Sequence, residues 1–221
     1  MNESSKTCLH LTAAERALLR GRVLDIGAGD DPVTPDAVVF DLNQGDANHI
    51  TAFEPASFDA VYSSHCLEHM HDPVASLHNW WSLVSHGGHL MLIVPDEDLY
   101  EQGLFPSRYN GDHKATFTIA KKQSWSPRSF NVLDLCLALP GAQVLSVSLN
   151  DIGYDRAMAH HGPLDRGPLN RLAARLYRSL RKRGAVSRSA ALDRLLSATQ
   201  GIDQSHGVAL AQIEAVVRKA F

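Results

Sequence analysis

The feature that most constrains the fold is a short apolar run, Arg22–Ile26 (RVLDI), that ends directly in Gly27-Ala28-Gly29. Such a run is a buried parallel strand leading into a backbone turn. The pattern repeats: Ala37–Asp41, Phe58–Tyr62 and His89–Val94 also read as strands, the last closed by Pro95. Between the third and fourth, Asp72 as N-cap and Pro73 in the first turn open a helix. It carries Val74, Leu77, Trp80, Trp81 and Val84, and Gly87-Gly88 is its expected stop. Ahead of the first strand, Thr12-Ala-Ala-Glu15 reads as a capping box for a short helix ending near Arg20. Ser126-Pro127 opens a further helix through Leu139, Gln143–Leu149 is the next strand, and Ala209–Lys219 is the final one. Strands alternating with helices predict an α/β fold with a mostly parallel sheet and a ligand site at the carboxyl ends of the strands.

Composition sets the class. A chain of 221 residues, 44% hydrophobic and 20% charged, is expected to form one soluble domain around one core. No apolar run approaches the ~18–20 residues of a spanning helix, and the N-terminus lacks the pattern of a signal peptide, so a cytoplasmic location is expected. Cys8, Cys66 and Cys136 form no CxxC pair and read as reduced thiols. The net charge of −3 is unevenly spread: Arg166–Arg194 holds nine Lys/Arg and one acid, a local +8, which leaves −11 elsewhere.

The glycine turn lets backbone approach a ligand, and Asp41, at the end of the next strand, is placed to accept hydrogen bonds from a ribose diol. A pyrophosphate site would want glycine at position 32 and a full helix behind it. Position 32 is Pro, and only Pro32–Asp36 separates the turn from the next strand. Asp25, Asp30 and Asp31 surround the turn with negative charge, which repels phosphate and suits a cationic ligand.

In order, VLDIGAGDDP, VVFDL, QGDA, FDAVYSSHCLEHMHDP and HGGHLMLIVPD resemble the motifs of class I S-adenosylmethionine-dependent methyltransferases over roughly residues 20–98. The resemblance implies a Rossmann-like, mostly parallel sheet with an antiparallel last strand, and S-adenosyl-L-methionine as cofactor. It implies that Asp25, Gly27 and Gly29, with Ala28, line the methionine and ribose portions. Asp41 would bind the ribose hydroxyls, Leu42, Asp46 and Ala47 would lie at the adenine end, and Ser63 beneath the methionine end. Two departures stand out: Asp31 replaces the usual third glycine, and the first two crossover helices are shortened to turns.

His65, Glu68 and His69 (HCLEH) match the H-x-x-E-H spacing of inverted zinc peptidases. The run follows a strand in the methyltransferase order, however, and no downstream helix offers a third ligand. It also resembles the E-x-x-E-H element of ubiquinone-pathway O-methyltransferases, which hold a divalent cation, with His65 in place of the first Glu. A divalent metal is therefore open. A purely structural role, with Glu68 and His69 bonding neighbouring backbone, stands beside these readings. Methyl transfer to an alcohol needs a base, for which His113 is the first candidate and His65 the second. Residues 96–125 read as a long functional loop. The part from Asp98 to Thr118 resembles the corresponding loop of bacterial methyltransferases of polysaccharide and glycan assembly. Its aromatics would stack on sugar rings, and Arg108 and Lys114 would hold an acidic group of the acceptor.

The basic stretch reads as two helices, a late insertion at about 163–200, with leucines at helical spacing. The stretch reads first as a solvated basic face and second as a peripheral membrane contact; with Tyr177 its only aromatic, RNA binding ranks last and no nucleic-acid partner is expected. The expected function is O-methylation of a sugar or glycan intermediate in polysaccharide biosynthesis by a single methyltransferase domain spanning 1–221, with a small-molecule or glycan acceptor; a homodimer is open. Rival readings are a non-catalytic scaffold of the same fold and a metallohydrolase using HCLEH.

Overall fold

The computed structural model describes residues 3–119, 121–159, 201–207 and 209–220, with the isolated positions 172, 175 and 179. The expected basic insertion at about 163–200, and with it the membrane contact, lies outside the described residues but for those three positions.

Helices α1 (Glu3–Cys8) and α2 (Ala13–Leu18) precede strands β1 (Val23–Ile26), β2 (Val38–Phe40) and β3 (Phe58–Ser64). Helix α3 (Pro73–Leu83), strand β4 (Val84–Pro95), a π-helical turn (Glu97–Glu101) and strands β5 (Thr116–Thr118) and β6 (Ser129–Asn131) follow. Helix α4 (Val132–Leu137) and strands β7 (Ala142–Asn150) and β8 (Gln212–Lys219) complete the order. The main sheet runs β2-β1-β3-β4-β8-β7; β5 and β6 form a small second sheet. Strands β1 to β4 pair in parallel, and β8 is antiparallel to both β4 and β7. This is the expected Rossmann-like architecture, with the carboxyl ends of β1 to β4 on one rim.

Side-chain alternation divides the core between the two faces of the sheet. Leu24, Ile26, Val61, Leu90, Leu92, Ile213 and Ala215 pack with Trp80 and Trp81 of α3 and Val132 and Leu135 of α4. On the other face, Val23, Tyr62, Met91, Ile93 and Val216 meet Leu11 and Leu19 of the N-terminal segment. No helix lies between β1 and β2 or between β2 and β3. The N-terminal segment therefore covers the face that the shortened crossovers leave open, through Leu11 and Leu19 on either side of α2. Segment 47–50 is held instead by side chains of α3: Trp80 Nε1 donates to the Ala47 carbonyl at 2.8 Å, Ser76 to Asn48 O at 3.1 Å, and Asn79 exchanges two bonds with Ile50.

Three element boundaries differ from the sequence reading. Helix α3 stops at Leu83 because Val84 pairs with Phe58 on β3, and Gly87-Gly88 sits in the bulge that follows. Helix α4 begins after Asn131 rather than at Ser126, since Ser129–Asn131 pairs with Thr116–Thr118 first and Asn131 Oδ1 then accepts from the Leu133 and Asp134 amides. The loop 96–125 is not structureless: Asp96 caps the π-helical turn, closed by Gln102 N–H donating to Glu97 O at 3.1 Å. Thr12 and Glu15 form the capping box of α2 as expected. All three cysteines are free, and no helix among the described residues is long and apolar enough to cross a membrane.

Candidate functional site

Strand β1 ends at Ile26, and the chain turns away through Gly27 and Gly29 at φ 82° and 55°, a region costly for residues with a Cβ. A Cβ on Gly27 would lie 2.8 Å from Cys66 Cβ and 2.9 Å from its sulfur. Burial pushes the Cys66 thiol pKa up, so it packs as a neutral spacer under the turn. Asp41, just past β2, closes the turn from the front: one carboxylate oxygen accepts from Gly29 N–H and the other from Leu42 N–H, each at 2.6 Å. Leu42 itself is 93% exposed, an apolar side chain held out on the rim. Further along, Asp46 accepts two bonds from Asn48, which hold its carboxyl below the usual range. Buried Ser63, at the end of β3, donates to Ile26 O at 3.1 Å and so ties β3 to β1 beneath the turn.

Asp25 is the unusual group. It is buried, Oδ2 accepts from Val33 N–H at 2.6 Å, and Oδ1 has no hydrogen-bond partner. Burial drives its pKa up to about 7 against the pull of the Val33 amide, and the charges of Asp31 and Asp41 add to the rise. An orphaned carboxylate oxygen beside a glycine turn, ringed by acids, fits a ligand that carries positive charge there and repels phosphate.

A second cluster follows β3. His65 adopts φ 53°, its N–H donating to Ile93 O, and the chain then makes one 3₁₀ turn, Leu67–His69. Glu68 is fully buried, and neither of its carboxylate oxygens has a hydrogen-bond partner. Three imidazoles surround it. His65 Nδ1 is 3.5 Å and His113 Nε2 3.9 Å from Glu68 Oε1, and the His69 ring stands edge-on to His113 with centroids 5.0 Å apart. Burial raises the Glu68 pKa, but the close approach of His65, then of His113 and His69, outweighs it and holds the carboxyl below the usual range. Each ring is fixed from behind: His65 Nε2 by Gln212 Oε1 at 3.1 Å, His69 Nδ1 by Asp112 at 2.9 Å, His113 Nδ1 by Glu101 at 2.6 Å. Tyr100 stacks on His113 at 5.2 Å, and Tyr109 meets Tyr100 edge-on at 5.8 Å.

The structure thus brings together all four histidine-run and loop candidates, His65, Glu68, His69 and His113. It does not form the helical H-x-x-E-H of a zinc peptidase, because His65 is left-handed and lies outside the 3₁₀ turn that carries Glu68 and His69. Lys114 is engaged internally, donating to His69 O and Asp112, and Arg108 lies 5.7 Å over the Tyr109 ring. Phe117 is core, and the Trp125 indole donates to Asp98. Sequence reasoning missed Glu101, Asp112 and Gln212, the groups that orient the rings. Only Asp112, beside His113, carried a local hint.

A mostly parallel sheet whose rim carries a glycine turn lined by acids, closed by an Asp at the end of the next strand, defines the Rossmann-like class. Residues 6–133, more than half of the chain, match the family described as a methyltransferase domain, and the chain belongs to that family. It is an S-adenosylmethionine-dependent methyltransferase, and its cofactor is S-adenosylmethionine. The fold is shared with a proposed sarcosine dimethylglycine methyltransferase from Galdieria sulphuraria, at TM-score 0.53 and 14% identity over 98% of this chain and 85% of that one. It is shared also with a proposed methyltransferase from Bacillus halodurans C-125, at TM-score 0.50 and 15% identity over 100% of both chains. No curated protein matches the sequence.

Proposed function

We propose that the chain methylates a hydroxyl of a sugar or glycan intermediate, with the acceptor lodged against the Glu68 cluster. The observation that carries this is Glu68 itself, an ionised, fully buried carboxylate with no donor, set among three imidazoles on the same rim as the glycine turn. S-adenosylmethionine, when bound, supplies a methyl group on a sulfonium. On the cofactor side, Asp25 would hold the ammonium, Gly27, Ala28 and Gly29 give the backbone close approach, and Asp41 would take the ribose hydroxyls. Leu42, Asp46 and Ala47 would receive the adenine, and Ser63 holds the floor below the methionine end. Methyl transfer is an in-line displacement, so the rest of the protein positions the acceptor and excludes water. A hydroxyl must also lose its proton, and an imidazole of this cluster takes it. Tyr100 and Tyr109 pack beside His113, and the likeness of their loop to those of glycan methyltransferases supports the same class. Sugar nucleotides and glycan fragments incubated with methyl-labelled cofactor should acquire label on a carbohydrate oxygen; label appearing only on amines would overturn the assignment.

The cofactor side makes its own prediction. Asp25 rises from the ordinary carboxylate value of 3.8 to about 7 in the free chain. Its neutral form suits the fold, so this stabilisation is complete below about pH 4 and is lost as pH rises through 7. A cationic ligand favours the ionised form instead. S-Adenosylhomocysteine, through its ammonium, should therefore bind more tightly at pH 8 than at pH 6 and release a proton on binding near pH 6, as read by calorimetry in two buffers of different ionisation enthalpy. An affinity flat across this range, or unchanged in slope by Asp25→Asn, would remove Asp25 from the cofactor contacts.

A further inference from the structure

We propose that Glu68, His69 and His113 bind one divalent transition-metal cation. One carboxylate oxygen and one nitrogen from each ring lie within 4.8 Å of one another, the one such group among the described residues. The hydrogen bonds behind the rings fix what those nitrogens offer. Nδ1 of His69 faces Asp112, and Nδ1 of His113 faces Glu101. Carboxylates accept, so each Nδ1 donates, and Nε2 is the nitrogen left to face a metal. The third member, Glu68, has two buried oxygens and no donor. Two imidazole nitrogens and a buried carboxylate thus converge on one point, where a divalent cation would take the place of the protons that otherwise pair them.

The backing carboxylates sharpen the reading, because metal-ligating histidines characteristically donate their other N–H to a carboxylate, which fixes the tautomer and strengthens the ligand. Two imidazoles and one carboxylate favour a transition metal over Mg²⁺ or Ca²⁺, which take all-oxygen sets. Three protein ligands leave a position open for a water or an acceptor oxygen. At metal–ligand distances of about 2.0–2.1 Å, tetrahedral ligand atoms are roughly 3.3 Å apart, so the 3.9 Å between His113 Nε2 and Glu68 Oε1 needs only a small contraction. The site deepens the proposed acceptor pocket and rests on its placement. An oxygen coordinated there becomes a stronger acid, and with both Nε2 atoms engaged, His65, whose Nδ1 lies 3.5 Å from Glu68, is the imidazole that takes the proton.

The test uses the untagged full chain, stripped with a chelator and titrated with Zn²⁺ against a chromophoric competitor, with the visible spectrum of the Co²⁺ form as a second readout. One equivalent should bind, Co²⁺ should show ligand-field bands, and an excess of Mg²⁺ should displace neither. His69→Ala should weaken Zn²⁺ at least about 100-fold, and Asp112→Asn, an exposed positioning residue, about 10-fold. His86→Ala, exposed in the bulge of β4, should change nothing. S-Adenosylhomocysteine binding by each preparation reports that its rim is folded. Cofactor binding without stoichiometric metal, or His69→Ala holding Zn²⁺ as tightly as the parent, overturns the metal site and leaves methyl transfer standing. Metal binding without cofactor binding does the reverse.

Discussion

His113→Ala is expected to lower methyl turnover by about 10²–10⁴-fold, the range a positioned proton-transfer or activating group supplies, while S-adenosylhomocysteine affinity stays as it was. The split follows from the geometry. His113 reaches the site from the loop after β4, clamped between Glu101 at 2.6 Å and Glu68 at 3.9 Å, whereas the cofactor turn is built from β1, β2 and Cys66. Its removal opens a space beside Glu68 and leaves the Gly27–Gly29 turn untouched. Glu101→Gln keeps the ring and weakens only its orientation, so it should fall between the parent and His113→Ala. Labelled methyl incorporation measured beside calorimetry decides the matter. Turnover equal to the parent's would exclude His113 from the acceptor site, and a parallel loss of cofactor affinity would assign it a structural role.

The strand-and-turn core was legible because its physics is local. Leu24, Ile26, Val61, Leu90 and Leu92 announce buried strands by residue type alone, and Gly27 and Gly29 stand where the chain takes positive φ. Boundaries failed where a pairing partner, distant in sequence, overrode a good local signal. Ser126-Pro127 has the form of a helix start, yet pairing of Ser129–Asn131 with Thr116–Thr118 defers the helix to Asn131. Gly87-Gly88 has the form of a helix stop, yet Val84 is already in the sheet beside Phe58. Covering of the second face by the N-terminal segment was likewise invisible, since Leu11 and Leu19 flank α2 and form no helical stripe.

At the site the same division holds. His65, Glu68 and His69 could be read together from their spacing, but their partners could not. Gln212 reaches His65 across 147 residues and Asp112 reaches His69 across 43. The electronic character of the cluster, imidazoles turned toward one buried carboxylate, exists only once those partners fix the rings. Residue type gave the candidates, and tertiary hydrogen bonds gave them their chemistry.

Trp80→Ala should produce the largest stability loss, about 3–5 kcal/mol for a buried Trp, against a typical domain total of ~5–15 kcal/mol. At about 2–4 °C per kcal/mol for a chain of this size, the melting temperature should fall by roughly 6–20 °C. The indole is fully buried between α3 and the sheet, and its Nε1 holds the Ala47 carbonyl at 2.8 Å. That bond makes the residue more than filler, because segment 47–50 has no helix of its own and is tied down by α3. Trp80→Phe separates the two contributions: most of the apolar volume remains, while the carbonyl loses its donor at a cost of about 1–3 kcal/mol. If the tie positions the adenine end of the site, Trp80→Phe will melt well above Trp80→Ala yet bind S-adenosylhomocysteine more weakly than the parent. Melting curves and calorimetry on the three proteins measure both quantities. A phenylalanine variant with parental affinity would show that the indole supports the core alone and that Asp46 and Ala47 are placed by other contacts.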